Sequence, residues 1–149
     1  MIWIRAFIIT LALFVVGACA EAPIPEAPGL TNSNAAWLYV YRPYQMFHSL
    51  NPEQPFVYVN GGQIGTLGVG DMLGRRFTPG TYQVSIRSSI LFMPGTETAA
   101  IKVKLEAGKT YYVRYSYDMS GIVPLPSGAA FEGGSSLVQV DEKTGQAKK

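Results

Sequence analysis

One thiol, Cys19, and one imidazole, His48, are the whole supply of these two side chains in a 149-residue chain. A single Cys rules out an intrachain disulfide and a multi-thiolate zinc site, and a single His rules out a two-histidine centre within one chain. His48 falls in the loop 43–55, where an imidazole is ordinarily solvated or hydrogen-bonded rather than catalytic. A serine hydrolase would need His48 beside an activated serine, and no Gly-x-Ser-x-Gly elbow nominates one. The carboxylates Asp71, Glu97, Glu106, Asp118 and Glu132 are scattered over turns and strand ends, so a glycosidase pair would have to be assembled by the fold. Met46, Met72, Met93 and Met119 carry soft sulfur of the kind Cu(I) takes. No two of them are closer than 21 positions, and filling gaps beneath loops is their ordinary use. The glycine-dense stretch 61–74 lacks the Gly-Lys-Ser/Thr ending of a phosphate loop. Twelve basic against ten acidic residues leave a net charge of +2, too little for a concentrated cationic face that would hold nucleic acid. The expectation is a non-catalytic protein with no cofactor, no metal and no nucleic-acid partner.

Cys19 has a different chemistry available. Arg5 precedes an apolar run over 6–16, interrupted only by Thr10, and small residues follow. A charged start, a short apolar core and small residues before a cut make a secretory signal. A bilayer-spanning helix would need about 20 apolar residues, and this run ends before Glu21. Val16-Gly17-Ala18-Cys19 resembles the lipobox of bacterial lipoproteins. That resemblance implies diacylglycerol on the Cys19 sulfur, cleavage between Ala18 and Cys19, and acylation of the new amino terminus. The thiolate supplies the nucleophile for such a step, and two or three acyl chains hold where one is marginal. Ala20 stands where lipoproteins kept in the inner membrane tend to carry Asp. The resemblance therefore implies an outer-membrane anchor facing the periplasm, with the lipid bilayer as a partner through Cys19.

The elements beyond the anchor read as β. Residues 20–35 (AEAPIPEAPGLTNSNA) are Pro-rich and without apolar period, a tether. Trp37–Arg42 and Phe56–Asn60 are aromatic and β-branched runs of strand length. Asn60-Gly61 then supplies positive φ for a hairpin into Gln63–Leu67. Pro79-Gly80 has the residues of a type II turn leading into Thr81–Arg87, where Tyr82, Val84 and Ile86 alternate with Gln83, Ser85 and Arg87. In Ala99–Leu105, Ile101, Val103 and Leu105 alternate with two lysines. In Thr110–Asp118, Tyr111, Val113, Tyr115 and Tyr117 share one face, and Tyr112, Arg114, Ser116 and Asp118 the other. Leu137–Val140 is a last short strand. The prediction is an all-β domain over 36–140, an antiparallel β-sandwich or partly open barrel of about seven or eight short strands. Residues 1–18 are signal, 19–35 lipidated Cys and tether, and 141–149 a flexible polar tail.

In order, Leu38-Tyr39-Val40-Tyr41-Arg42, Val57-Tyr58-Val59-Asn60-Gly61 with Ile64-Gly65, Pro79-Gly80-Thr81-Tyr82-Gln83-Val84, and Ala107-Gly108 through Arg114 resemble the small bacterial lipoproteins called domain of unknown function 2846. Asn60 stands where that family often has Asp. The resemblance covers about 36–140 and brings no reaction, ligand or catalytic residue with it.

Three predicted loops are apolar where loops are usually polar: Met46-Phe47, Ile90–Pro94, and Ile122–Pro126 with Ala129–Phe131. A contiguous exposed apolar patch marks a partner or membrane contact. Phe47, Leu91, Phe92, Met93, Val123 and Leu125 are the candidate docking residues; the competing expectation is that they plug the ends of the sandwich. The expected function is an envelope lipoprotein whose β-domain binds or scaffolds another envelope component, expected to be a protein. Recognition of a cell-wall glycan or small molecule through the nine tyrosines is the alternative, and an uncharacterised hydrolase a more distant one.

Overall fold

The computed structural model describes residues 29–44, 53–125 and 128–147 together with Glu26, and excludes the side chains of 119–132. Among the described residues the strands are β1 (Ala36–Tyr41), β2 (Phe56–Val59), β3 (Gly62–Thr66), β4 (Met72–Phe77), β5 (Gly80–Ile90), β6 (Met93–Leu105), β7 (Thr110–Leu125) and β8 (Gly128–Val140). One short helix, α1 (Glu142–Gln146), follows. The strands form two four-stranded sheets, ordered β4-β1-β7-β8 and β3-β2-β5-β6. This is an all-β sandwich and not a closed barrel.

The period of two in the sequence sets the core. Leu38 and Val40, Val57 and Val59, Val84 and Ile86, Val103 and Leu105, and Val113 and Tyr115 turn inward to one cluster. Gln83, Lys102 and Lys104 alternate with them and stay exposed. Asn60-Gly61 makes the expected hairpin, with φ of 49° and 82°. The Asn60 side chain also accepts the Gln83 amide at 2.8 Å, tying the turn to β5.

Several expectations are corrected. Strand β4 carries Gly74 in its middle and so has no strand signal of its own. Gly74 lies opposite Tyr39, and a Cβ there would collide with the Tyr39 ring. The sheet is not wholly antiparallel: β1 and β7 run parallel, Trp37 opposite Thr110 and Tyr41 opposite Arg114. Both strands enter from the same end, where Gly108 donates to the Ala35 carbonyl and Trp37 to that of Lys109. Gly80 does not take the positive φ of a type II turn; it pairs with Leu105 as the first residue of β5. The Tyr82 hydroxyl, 3.0 Å from the Thr78 carbonyl, closes that bend instead.

The strands near the apolar segments are also long rather than short. Residues expected as loops over 119–125 and 129–131 belong to a ribbon in which Ile122 pairs with Phe131 and Val123 with Ala130. Finally, part of the polar tail folds. Asp141 caps α1, accepting from the Thr144 amide and hydroxyl at 2.8 Å each. The helix lies on Tyr112, which is 1% exposed although strand alternation assigns it to the open face.

Two outcomes test this docking of the C-terminal turn. A Cβ at Gly145 would overlap the Tyr112 ring, so Gly145→Ala should lift α1 and cost about 1–3 kcal/mol in urea denaturation. Thr144 holds the Asp141 carboxyl below its ordinary value of 3.8. A lowered folded-state value stabilises the cap above the ordinary value, and the contribution is lost as pH falls through the lowered one. Protection of the Thr144 amide, relative to its intrinsic exchange rate, should therefore fall on acidification below about pH 4, and Asp141→Asn should flatten that response.

Candidate functional site

Two poles are defined by where the chain crosses between sheets. At one, the tether enters β1 and is held to the domain. Arg76 of β4 donates to Glu26 Oε2 at 2.7 Å and to the Leu30 carbonyl at 3.2 Å, with its guanidinium 5.6 Å from the Trp37 ring centre. Arg76 holds the Glu26 carboxyl below its usual range. The expected spacer is therefore fastened to the domain at Glu26 and Leu30.

The opposite pole is organised by Arg42, which continues the inward phase of Leu38 and Val40. It is 3% exposed, and its Nη1 donates to the Glu53 carbonyl at 2.7 Å. Burial pulls the guanidinium below its ordinary value, while Tyr115 and the Glu53 carboxylate act to raise it. Glu53 in turn accepts the Ser89 amide at 2.8 Å, near the end of β5. One arginine therefore joins the end of β1, the approach to β2 and the end of β5. Beside it an open cleft of about 170 Å³ is lined by Tyr41, Arg42, Pro43, Tyr44, Gly70 and Asp71.

Beyond Ser89 the β5–β6 hairpin projects from this pole. Ile90 pairs with Met93 across a two-residue turn in which Leu91 and Phe92 both have positive φ, 49° and 65°. This is the geometry of the Asn60-Gly61 turn, built from two residues for which that backbone costs about 1–2 kcal/mol each. Among the described residues little packing offsets that cost: Ile90, Leu91, Phe92 and Met93 are 56%, 83%, 95% and 62% exposed. The tip is an apolar projection and not a plug.

Leu91, Phe92 and Met93 thus meet at the tip. Val123 and Leu125 lie on β7, opposite Ala130 and Gly128. Because β7 runs parallel to β1 and continues past Arg114, its far end lies toward the Arg42 pole. Ala18, Cys19, Met46, Phe47 and His48 lie outside the described residues. Two of the carboxylates lie at opposite poles. Asp71, accepting the Gly68 amide at 2.9 Å, is at the Arg42 pole, and Glu106, paired with Lys109 at 2.6 Å, is at the tether pole. Among the described residues no cluster of three metal-ligating side chains occurs. Trp37, Tyr39 and Tyr112 form a near-parallel stack with centroids 5.6 and 5.2 Å apart, under Arg76 at one end and α1 at the other. They make a packed stripe in which Tyr112 is buried and Trp37 and Tyr39 are half-buried. Arg42 closes the first of the motifs shared with the family without an assigned role, yet alternation along β1 already places it inward. Arg76 has no signal in the sequence, because its strand has none.

The fold is thus that of a small two-sheet β domain with an apolar projection at one pole. Residues 32–135 match the family model described as protein of unknown function DUF2846, and the chain belongs to that family. No curated protein and no solved structure matches the chain.

Replacing Leu91-Phe92 by Asn-Gly should raise the melting temperature by several degrees, since the turn is kept and its strain removed. The double change to Ser should leave it nearly unmoved. A large loss of melting temperature in the serine variant would show these residues to be core.

Proposed function

We propose that the chain is a membrane-anchored, non-catalytic envelope lipoprotein whose β-domain engages another envelope component through the β5–β6 tip. In this reading the signal 1–18 is removed, Cys19 carries the lipid, and the domain faces the periplasm from the outer membrane. The lipobox resemblance and Ala20 support the address. The observation that carries the engagement is the tip itself: two bulky apolar residues held in an unfavourable turn and left in water. A chain selected for stability alone would have Asn-Gly there, as it does at 60–61. The stacking of Trp37, Tyr39 and Tyr112 against one another favours this reading over a glycan platform.

Cells fed an alkyne-bearing fatty acid should yield a labelled chain beginning at Cys19, recovered with outer membranes. Cys19→Ala should abolish both label and cleavage. An uncleaved chain with a free thiol in the soluble fraction would overturn the address. Retention of all its cellular cross-links, to lipid as well as to protein, by the Leu91→Ser, Phe92→Ser variant would overturn the engagement.

A further inference from the structure

We infer that the component met by the β5–β6 tip is a lipid bilayer, the tip inserting as a wedge into the membrane surface. The inference deepens the reading above, and its link to Cys19 rests on that reading. The tip is convex, its four apolar side chains standing 56–95% exposed. A protein pocket would have to be shaped around them, whereas a fluid acyl surface conforms to any projection. From Ser88 to Thr96 the chain carries no charge, so a charged partner surface finds no complement and entry into hydrocarbon carries no ion with it. The Ile90–Met93 pairing closes the hairpin, which leaves few backbone polar groups to carry into lipid. Ser88, Ser89 and Thr96 form a polar base at headgroup level, with the Glu53 carboxylate held on the Ser89 amide.

The tether fixes the attitude. From Cys19 to Glu26, which is held on Arg76, the chain can extend at most about 25 Å. The eleven residues of β5 separate that pole from the tip by about 36 Å. With lipid on Cys19 and the tip in the same bilayer, the domain lies inclined within about 45° of the membrane plane. Anchoring raises the effective concentration of the bilayer at the tip, so a shallow contact suffices.

The test uses the full-length processed protein carrying Phe92→Trp, reconstituted in vesicles of phosphatidylethanolamine and phosphatidylglycerol with brominated acyl chains. Emission from the indole introduced at position 92 should shift to the blue and be largely lost to bromines lying about 5–10 Å below the headgroups. Trp37, at the other pole, should be unaffected. Met93→Trp provides a second reporter if the first variant misfolds. Co-flotation with vesicles while the tip indole remains unquenched would overturn the wedge and leave the anchor standing. Quenching of the tip indole in a chain whose Cys19 is unmodified by mass spectrometry would support the wedge and sink the anchor. An unquenched tip with a dimer dispersed by Phe92→Ser, or with cross-links to one envelope protein, would replace the lipid by that partner.

Discussion

A cation taken out of water between two sheets must be held by whatever surrounds it, and Arg42 is such a cation. Desolvation of a guanidinium costs several kcal/mol unless fixed dipoles and charges offset it. Here the offset comes from the Glu53 carbonyl, from its carboxylate, and from the Tyr115 ring 5.7 Å away. Among the described residues Arg42 Nε has no hydrogen-bond partner, so the compensation is incomplete. The geometry has a consequence for the whole molecule. Arg42 directly follows β1 in one sheet, Glu53 precedes β2 in the other, and Ser89, on the Glu53 carboxylate, lies one residue before the end of β5. The three are locked at one end of the sandwich, which gives the β5–β6 hairpin a rigid base from which to project.

The same turn occurs twice, and the contrast separates folding from function. At 60–61, Asn and Gly accept left-handed backbone cheaply, and the Asn60 side chain is used to bind β5. At 91–92, Leu and Phe take the same backbone with neither advantage. Local propensity, pattern and turn chemistry agree nearly everywhere else in a foldable sequence, and departures concentrate at functional sites. The departure here is twofold, in backbone strain and in exposed apolar surface, and both fall on the same two residues.

Much of this is legible in the residues. Alternation of Val103 and Leu105 with Lys102 and Lys104 identifies a half-buried strand unaided, and the same rule locates β5 and β7, while aromatic and β-branched composition locates β1 and β2. It fails where the information is not local. β4 reads as loop because Gly74 is there to admit the Tyr39 ring, a requirement set by a distant strand. Tyr112 reads as exposed because the helix that covers it lies beyond β8. Leu91 and Phe92 are nominated by their apolarity within a turn, but only their φ angles and exposure separate a projecting tip from a plug. For Arg42, a period of two points inward while residue type points outward, and the period wins.

The two poles also explain why so sparsely charged a domain can remain ordered and accessible. Arg76 directs its charge to Glu26, to the Leu30 carbonyl and to the Trp37 ring, fastening the tether where β1 begins. That pair is partly exposed, so its Coulomb energy is screened and modest. Its leverage is geometric. Held on Arg76, the chain from Cys19 reaches about 25 Å; released back to Ala35, it would reach roughly twice as far. In the proposed lipid-anchored form the short tether inclines the tip toward the bilayer, and the long one permits an upright domain. A weak ion pair at one pole therefore sets which surfaces the apolar projection at the other can meet.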